Sequence, residues 1–73
     1  MRVVVITQYD MSNWPAMDEV LEKAVGRVSN FAGAGSGVRD HGWVCQSEIE
    51  TERVKRAIRR LGLAVTVRPD GKF

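Results

Sequence analysis

The chain has 73 residues, a formal net charge of +2 and 44% hydrophobic residues. That length suffices for one small domain over residues 1–73 and excludes a second independent core. The composition is globular, and because the longest apolar run covers only residues 3–6, it excludes a membrane-spanning segment. The single cysteine excludes an internal disulfide and favours a reducing, cytoplasmic location.

The first half of the chain predicts a strand, a helix and a second strand. Residues 3–8 are a β-branched run, which is typical of a central strand. Ser12 and Asn13 offer capping side chains ahead of a helix whose apolar positions form one stripe. The stripe consists of Trp14, Met17, Val20, Leu21, Ala24, Val25 and Val28. After Gly26 we expect a short edge strand over residues 29–34.

The second half predicts a hairpin, a second helix and a last strand. Gly35-Ser36-Gly37 supplies the turn of a hairpin, and residues 38–46 supply its return strand. Ser47 and Glu50 form the capping-box pattern of a helix that ends at Gly62. Alternating apolar residues then indicate a strand over residues 63–68, and Pro69-Asp70-Gly71 indicates a turn after it.

The predicted order of elements is β-α-β-β-α-β. With right-handed crossovers this order makes an α+β fold of the ferredoxin-like type, a split β-α-β sandwich. Two helices cover one face of a four-stranded antiparallel sheet, and the first and third strands lie in its middle. Because the other face of the sheet stays open, we expect a locally encoded function there.

The third strand carries the most informative side chains. Arg39, His41, Trp43 and Cys45 alternate along it with a second set of residues, so each set shares one face. The second set consists of Val38, Asp40, Gly42 and Val44. We expect this small set to face the helices and the other four residues to lie on the open face. A cation, an imidazole and an indole in one row suit the binding of single-stranded nucleic acid.

Residues 39–44 resemble the RNP1 pattern of RNA recognition motif domains, Lys/Arg-Gly-aromatic-Gly/Ala-aromatic-Val. Five of the six positions match when histidine is counted as an aromatic residue, and Asp40 replaces the glycine. The order of elements is similar to that family's order as well. The resemblance implies a nucleic-acid partner bound on the open face by Arg39, His41 and Trp43, with Cys45 in the same row.

The second helix adds a basic cluster of Arg53, Lys55, Arg56, Arg59 and Arg60 opposite its apolar stripe. A solvated helix face explains these charges by default, because bases near a helix C-terminus suit its dipole. The same cluster makes a positive field that could hold a phosphate backbone or an acidic protein surface. Arg53, Arg56 and Arg60 are therefore candidate binding residues.

Three functions stay open. The first is a small non-catalytic module that binds single-stranded nucleic acid through the open sheet face. The second is a protein-binding adaptor or inhibitor that forms a homodimer or docks a partner through the same face. The third is a binder of an anionic nucleotide or small ligand at the loop of residues 33–39. Its candidate residues are Gly33, Gly35, Ser36 and Gly37.

No catalytic residue, metal ligand or cofactor site is predicted. The sequence offers His41 no partnered nucleophile. His41 and Cys45 are four residues apart on a strand, which separates them by about 13 Å and prevents them from binding one metal ion. We therefore expect a non-enzymatic protein.

Overall fold

A computed structural model of the chain describes residues 2–69. The four strands form one antiparallel sheet in the order β2-β3-β1-β4, with both helices on one face. The predicted α+β, ferredoxin-like arrangement is confirmed, whereas the predicted turn at Asp70 and Gly71 lies outside the described residues. The elements are β1 (Val3–Asp10), α1 (Ala16–Val25), β2 (Phe31–Gly35), β3 (Val38–Cys45), α2 (Glu48–Arg60) and β4 (Thr66–Pro69).

The connection between β1 and α1 differs from the prediction. A 3₁₀ turn (Met11–Asn13) precedes the helix, and the Asp10 carboxylate caps this turn by accepting a hydrogen bond of 2.8 Å from the Ser12 amide. α1 then begins without a side-chain cap and ends where Gly26 adopts a φ of +93°. Asp10 at the end of β1 is therefore the capping residue, because its backbone is still extended there.

α2 begins as the sequence predicts. The Ser47 hydroxyl accepts a hydrogen bond of 3.1 Å from the Glu50 amide, and the Glu50 carboxylate accepts one of 2.9 Å from the Gln46 amide. The helix ends at Arg60, and Gly62 follows with a φ of +80°. Neither helix in the described residues is long and apolar enough to cross a membrane.

Specific hydrogen bonds and a tight turn define the two ends of β2. Ser36 and Gly37 join β2 to β3 with φ values of +54° and +78°, the pattern of a type I′ turn, whose twist suits a hairpin. At the far end, β3 continues past β2, and side chains replace the missing strand. The Asn30 side chain accepts a hydrogen bond of 2.8 Å from the Val44 amide, and Arg27 donates one of 2.6 Å to the Val44 carbonyl.

The core lies between the sheet and the two helices. Residues directly opposite each other in β1 and β3 share a face, and the register places Val5 opposite Trp43. Leu21 of α1 and Ile58 of α2 are fully buried in the same cluster. The helices therefore cover the face of the sheet that carries Trp43. The buried apolar cluster consists of Val5, Tyr9, Leu21, Trp43, Cys45, Val54 and Ile58.

The face assignment predicted for β3 is wrong. Trp43 and Cys45 are fully buried, His41 is 2% exposed and Arg39 is half-buried. The set that was expected to face the helices lies on the open face instead, where Asp40 is exposed. The row expected to bind a partner on the open face therefore belongs to the core and its rim.

The contact between a glycine and an aromatic residue explains why the small residues of β3 can lie on the open face. Phe31 of β2 lies opposite Gly42 of β3, and a Cβ atom added to Gly42 would come within 2.5 Å of the Phe31 ring. The ring thus fills the space over a residue without a side chain. The bulky residues of β3 fill the core on the other side, where burial of large apolar groups contributes most to stability.

Candidate functional site

His41 is the centre of a polar cluster between α1 and the sheet. Its Nε2 atom lies 2.8 Å from Asp18 Oδ1 and 3.3 Å from the Tyr9 hydroxyl, and its Nδ1 atom lies 2.9 Å from the Ser29 hydroxyl. The ring stacks between Tyr9 and Trp43 at centroid distances of 5.9 and 5.6 Å. A buried imidazole is stable when both nitrogens have hydrogen-bond partners, and both have them here.

Asp18 of α1 connects this cluster to the surface. Arg39 donates to the Asp18 carboxylate through Nη2 at 2.7 Å and Nε at 3.2 Å, and the Trp14 indole donates at 3.0 Å. Burial would raise the pKa of Asp18, but hydrogen bonds from Arg39 and His41 outweigh it and hold the pKa below the ordinary 3.8. The carboxylate is therefore ionised at neutral pH and ties α1 to β3.

Ser29, His41 and Asp18 form a hydrogen-bonded chain of the residue types used in acyl transfer. The Ser29 hydroxyl and amide also contact the Glu22 carboxylate, at 3.4 and 3.2 Å. His41 is almost fully buried, and it lines neither the groove between the helices nor the concavity on the open face of the sheet. These contacts support a structural role for the three residues, because they hold α1 and the α1–β2 connection against the sheet.

Sequence reasoning missed Asp18, Tyr9 and Ser29 as partners of His41. One signal was present, because Asp18 lies one helical turn before the buried Leu21 and so borders the helix stripe that faces the core, where a carboxylate needs a hydrogen-bonded partner. Tyr9 could be linked to β3 only through the strand register. Ser29 lies in an irregular connection, so no periodicity indicates where its hydroxyl is directed.

Cys45 is a buried thiol of the core. Burial, followed by the nearby Glu50 carboxylate, raises the pKa of Cys45 above its ordinary value. Its Sγ atom contacts the Trp43 carbonyl at 3.8 Å, and interactions with the Arg27 and Thr51 side chains lower the pKa without cancelling the effect of burial. Across the part of the chain that the structure describes, no group of three or more His, Cys, Asp or Glu residues is arranged to bind a metal ion.

The predicted ligand loop belongs to the β2–β3 hairpin. Gly33 and Gly35 are strand residues of β2, and Ser36 and Gly37 form its two-residue turn. Arg39, which the sequence suggested as the cation of this loop, is hydrogen-bonded to a carboxylate of α1 instead. Anion binding by the hairpin stays a prediction.

A groove of about 630 Å³ runs along the surface between α1 and α2. Small and apolar side chains from both helices line it, and Ile49 at the start of α2 is 76% exposed. The apolar lining consists of Ala24, Val25, Ile49 and Ala57. The charged lining consists of Glu48, Glu52, Arg53, Arg56 and Arg60.

Three arginines of the basic cluster face this groove. Arg53, Arg56 and Arg60 line it and make neither a hydrogen bond nor an ion pair with any described residue. Lys55, by contrast, pairs with Glu52 at 3.0 Å, and this hydrogen bond lowers the pKa of Glu52. The predicted cluster of five residues is therefore divided among a paired lysine, three arginines that line the groove and Arg59, which does not line it.

A smaller concavity of about 320 Å³ lies on the open face of the sheet. Residues of β1, β3 and β4 line it with mixed charge, including Asp40 and Arg68. Phe31, the half-exposed aromatic of the open face, is on β2 at the opposite edge of the sheet. Within residues 2–69, the lining of this concavity therefore supplies no aromatic side chain for base stacking.

No protein-family model matches this chain, and neither a curated protein nor a solved structure matches it. The structure shows the β-α-β-β-α-β order and the ferredoxin-like sheet topology that accompanied the resemblance to RNA recognition motif domains. The finer resemblance of residues 39–44 to the RNP1 pattern stays a prediction.

Proposed function

We propose that this protein is a protein-interaction module that binds an acidic, amphipathic helical segment of a partner in the groove between α1 and α2. One observation carries the proposal: three arginines that make no hydrogen bond or ion pair with another described residue follow the edge of an apolar groove. An apolar lining favours a ligand that buries hydrophobic side chains, and the arginines favour one that also carries carboxylates. An amphipathic helix with acidic flanks meets both requirements.

The dimensions and charge pattern of the groove support a helical ligand. The arginine stripe extends from residue 53 to residue 60, which is about 10 Å along the axis of α2, or two turns of a bound helix. Val20, one helical turn before Ala24 on α1, is 47% exposed and extends the apolar surface. Glu48 and Glu52 occupy the other end of α2, so the acidic part of the ligand should lie toward residues 56–60.

Single-stranded nucleic acid is the competing ligand, because a phosphate backbone is also attracted by arginines. Among the described residues, the groove lining offers no aromatic side chain on which a base could stack. The two stacking groups that the sequence suggested, His41 and Trp43, are buried in the core. These observations favour a protein ligand. The experiment below measures binding of both a peptide and short oligonucleotides.

The test is fluorescence anisotropy with a labelled 15-residue model helix that carries leucines on one face and glutamates on the other. We expect saturable binding to the model helix and weaker binding to a scrambled peptide of equal charge. Arg56→Glu should weaken binding at least about tenfold, since it replaces an attraction with a repulsion. Ile49→Ser should weaken binding as well, because it removes an exposed apolar contact.

Arg59→Glu is the matched control, because it changes the net charge equally on a residue that does not line the groove. The proposal fails if Arg59→Glu weakens peptide binding as much as Arg56→Glu, since attraction would then be non-specific. It also fails if the scrambled peptide binds equally well. Tighter, strongly salt-dependent binding of short oligonucleotides would replace it with a nucleic-acid function.

A further inference from the structure

β2 is an unprotected edge of the sheet. Its sequence Phe-Ala-Gly-Ala-Gly contains no charge and no proline, and four of its five residues are exposed. The opposite edge, β4, carries Arg68 and ends at Pro69, and a charge and a proline both hinder the addition of a further strand. A further strand would therefore add to this sheet at β2.

The turn geometry identifies which backbone groups of β2 are available. The two-residue turn makes Gly35 a hydrogen-bonded partner of β3. Because the hydrogen bonds of an antiparallel ladder alternate, Gly33 and Phe31 also direct their backbone groups toward β3. Ala32 and Ala34 direct theirs outward, where no described residue bonds to them.

We propose that a second copy of this chain pairs with β2 in an antiparallel arrangement about a two-fold axis at Gly33, which joins the two sheets into one. Ala32 then lies opposite Ala34 of the partner subunit, so the outward backbone groups of one strand bond to those of the other. Phe31 lies opposite Gly35 of the partner subunit. The Phe31 ring lies over Gly42 of its own subunit and faces a residue without a side chain across the junction, and an added Cβ at Gly35 would meet nothing within 4 Å.

The self-complementary pattern of β2 is the reason for choosing a second copy as the occupant. A two-fold interface requires a surface that matches itself, and this register sets alanine against alanine and the only large side chain against glycine. An unrelated extended peptide would need pockets for its alternate side chains, and β2 offers only alanine and glycine beside one ring.

The pairing is expected to be weak and independent of the groove. A five-residue edge buries far less than the roughly 800 Å² per partner of a stable interface, so the dimer should form reversibly and depend on concentration. β2 shares no residue with the groove between the helices. Failure of this pairing would therefore leave the proposed peptide binding untouched.

Sedimentation equilibrium at concentrations up to roughly 1 mM, which covers weak interfaces, tests the pairing. We expect the unmodified chain to dimerise reversibly. Ala32→Lys/Ala34→Lys should raise the dimer dissociation constant at least about tenfold, because like charges then face each other across the junction. Ala32→Glu/Ala34→Lys sets each carboxylate opposite an ammonium group and should keep or lower that constant. Both side chains are exposed in the monomer, and circular dichroism checks that the fold persists.

Amide hydrogen exchange gives an independent readout of the register. The exchange of the Ala32 and Ala34 amides should slow as protein concentration rises, whereas that of the Gly33 amide should not change, since it is bonded within the monomer. A monomer at every concentration overturns the proposal. A dimer that responds equally to the two double variants, or to neither, also overturns it.

Discussion

The Asp18 carboxylate accepts hydrogen bonds from three side chains in two parts of the chain: Trp14 before α1, and Arg39 and His41 on β3. His41 is buried and Arg39 half-buried, so neither can exchange this acceptor freely for water. Removal of the carboxylate would deprive the Arg39 guanidinium and the His41 imidazole of this hydrogen-bond acceptor. An unsatisfied buried polar group costs about 1–3 kcal/mol, which makes this single side chain important for the attachment of α1 to the sheet.

Asp18→Asn should therefore lower the free energy of unfolding by about 1–3 kcal/mol at pH 7, measured by urea denaturation. The pKa of Asp18 is lowered in the folded protein from the ordinary value of 3.8 that applies to the unfolded chain. The ionised carboxylate thus stabilises the fold above about pH 4, and this stabilisation is lost as pH falls through the folded pKa. The difference between the two proteins should shrink below about pH 4.

Asp40→Asn serves as the control for Asp18→Asn. Asp40 is exposed on the open face, so its substitution should change the free energy of unfolding by no more than about 0.5 kcal/mol. A difference between wild type and Asp18→Asn that stays constant from neutral to acidic pH would contradict the role assigned to the carboxylate.

At the scale of elements, alternation along β3 predicts its two sets of residues correctly but not which set is buried. The small size of Gly42 suggested a close approach of the helices, yet Phe31 from the neighbouring strand covers it. The polar residues Arg39 and His41 suggested solvent, yet Asp18 from α1 satisfies both. Which face of β3 is buried therefore depends on residues outside the strand, Phe31 and Asp18. The sequence of β3 alone does not indicate it.

Features that depend on residues close together in the sequence could be predicted. The capping box at Ser47, the turn at Ser36 and Gly37 and the central place of β1 all follow from local patterns. The groove between the helices was not predictable in the same way. It depends on which side of α2 meets α1, and the sequence of α2 indicates only that its basic side is opposite its buried residues.

Gly42→Ala should lower the free energy of unfolding by about 1 kcal/mol, because the added methyl group displaces the Phe31 ring, which is half-exposed and can move. In a Phe31→Ala background the same substitution should have almost no cost. The coupling between the two changes is measured with a double-mutant cycle in urea. Equal costs in both backgrounds would show that the ring does not occupy the space over Gly42.

Gly35→Ala is the matched control for this cycle. Gly35 lies on the same face of the sheet, but an added Cβ there would meet nothing within 4 Å. We expect its effect on the free energy of unfolding to stay within about 0.5 kcal/mol and to be the same whether residue 31 is phenylalanine or alanine.

At the scale of the whole molecule, β1 and β4 bring distant parts of the chain side by side. They pair in antiparallel register, and Val3 lies opposite Pro69. The turn at Ser36 and Gly37 is exposed and connects two strands that remain in register through their ladder. We therefore expect the sheet to keep its strand order when the chain termini are moved to another position in the sequence.

A circular permutant follows from this arrangement. We expect a protein in which a short Gly-Ser linker joins residue 69 to residue 2, opened between Ser36 and Gly37, to keep the fold and lose about 2 kcal/mol or less. Near-ultraviolet circular dichroism of the buried Trp43 and thermal unfolding measure the outcome. A permutant opened between Gly42 and Trp43 interrupts a central strand and should not fold, and a folded product there would contradict the topology.

The central position of β1 also affects how the chain folds during its synthesis. Residues 3–6 leave the ribosome well before their neighbour β4 (Thr66–Pro69), which follows every other element of the described residues. Until then one side of a β-branched, apolar strand has no partner. A nascent chain interrupted anywhere between the end of β3 and residue 66 would expose this edge to other chains, and aggregation rather than a stable partial fold would be the expected fate.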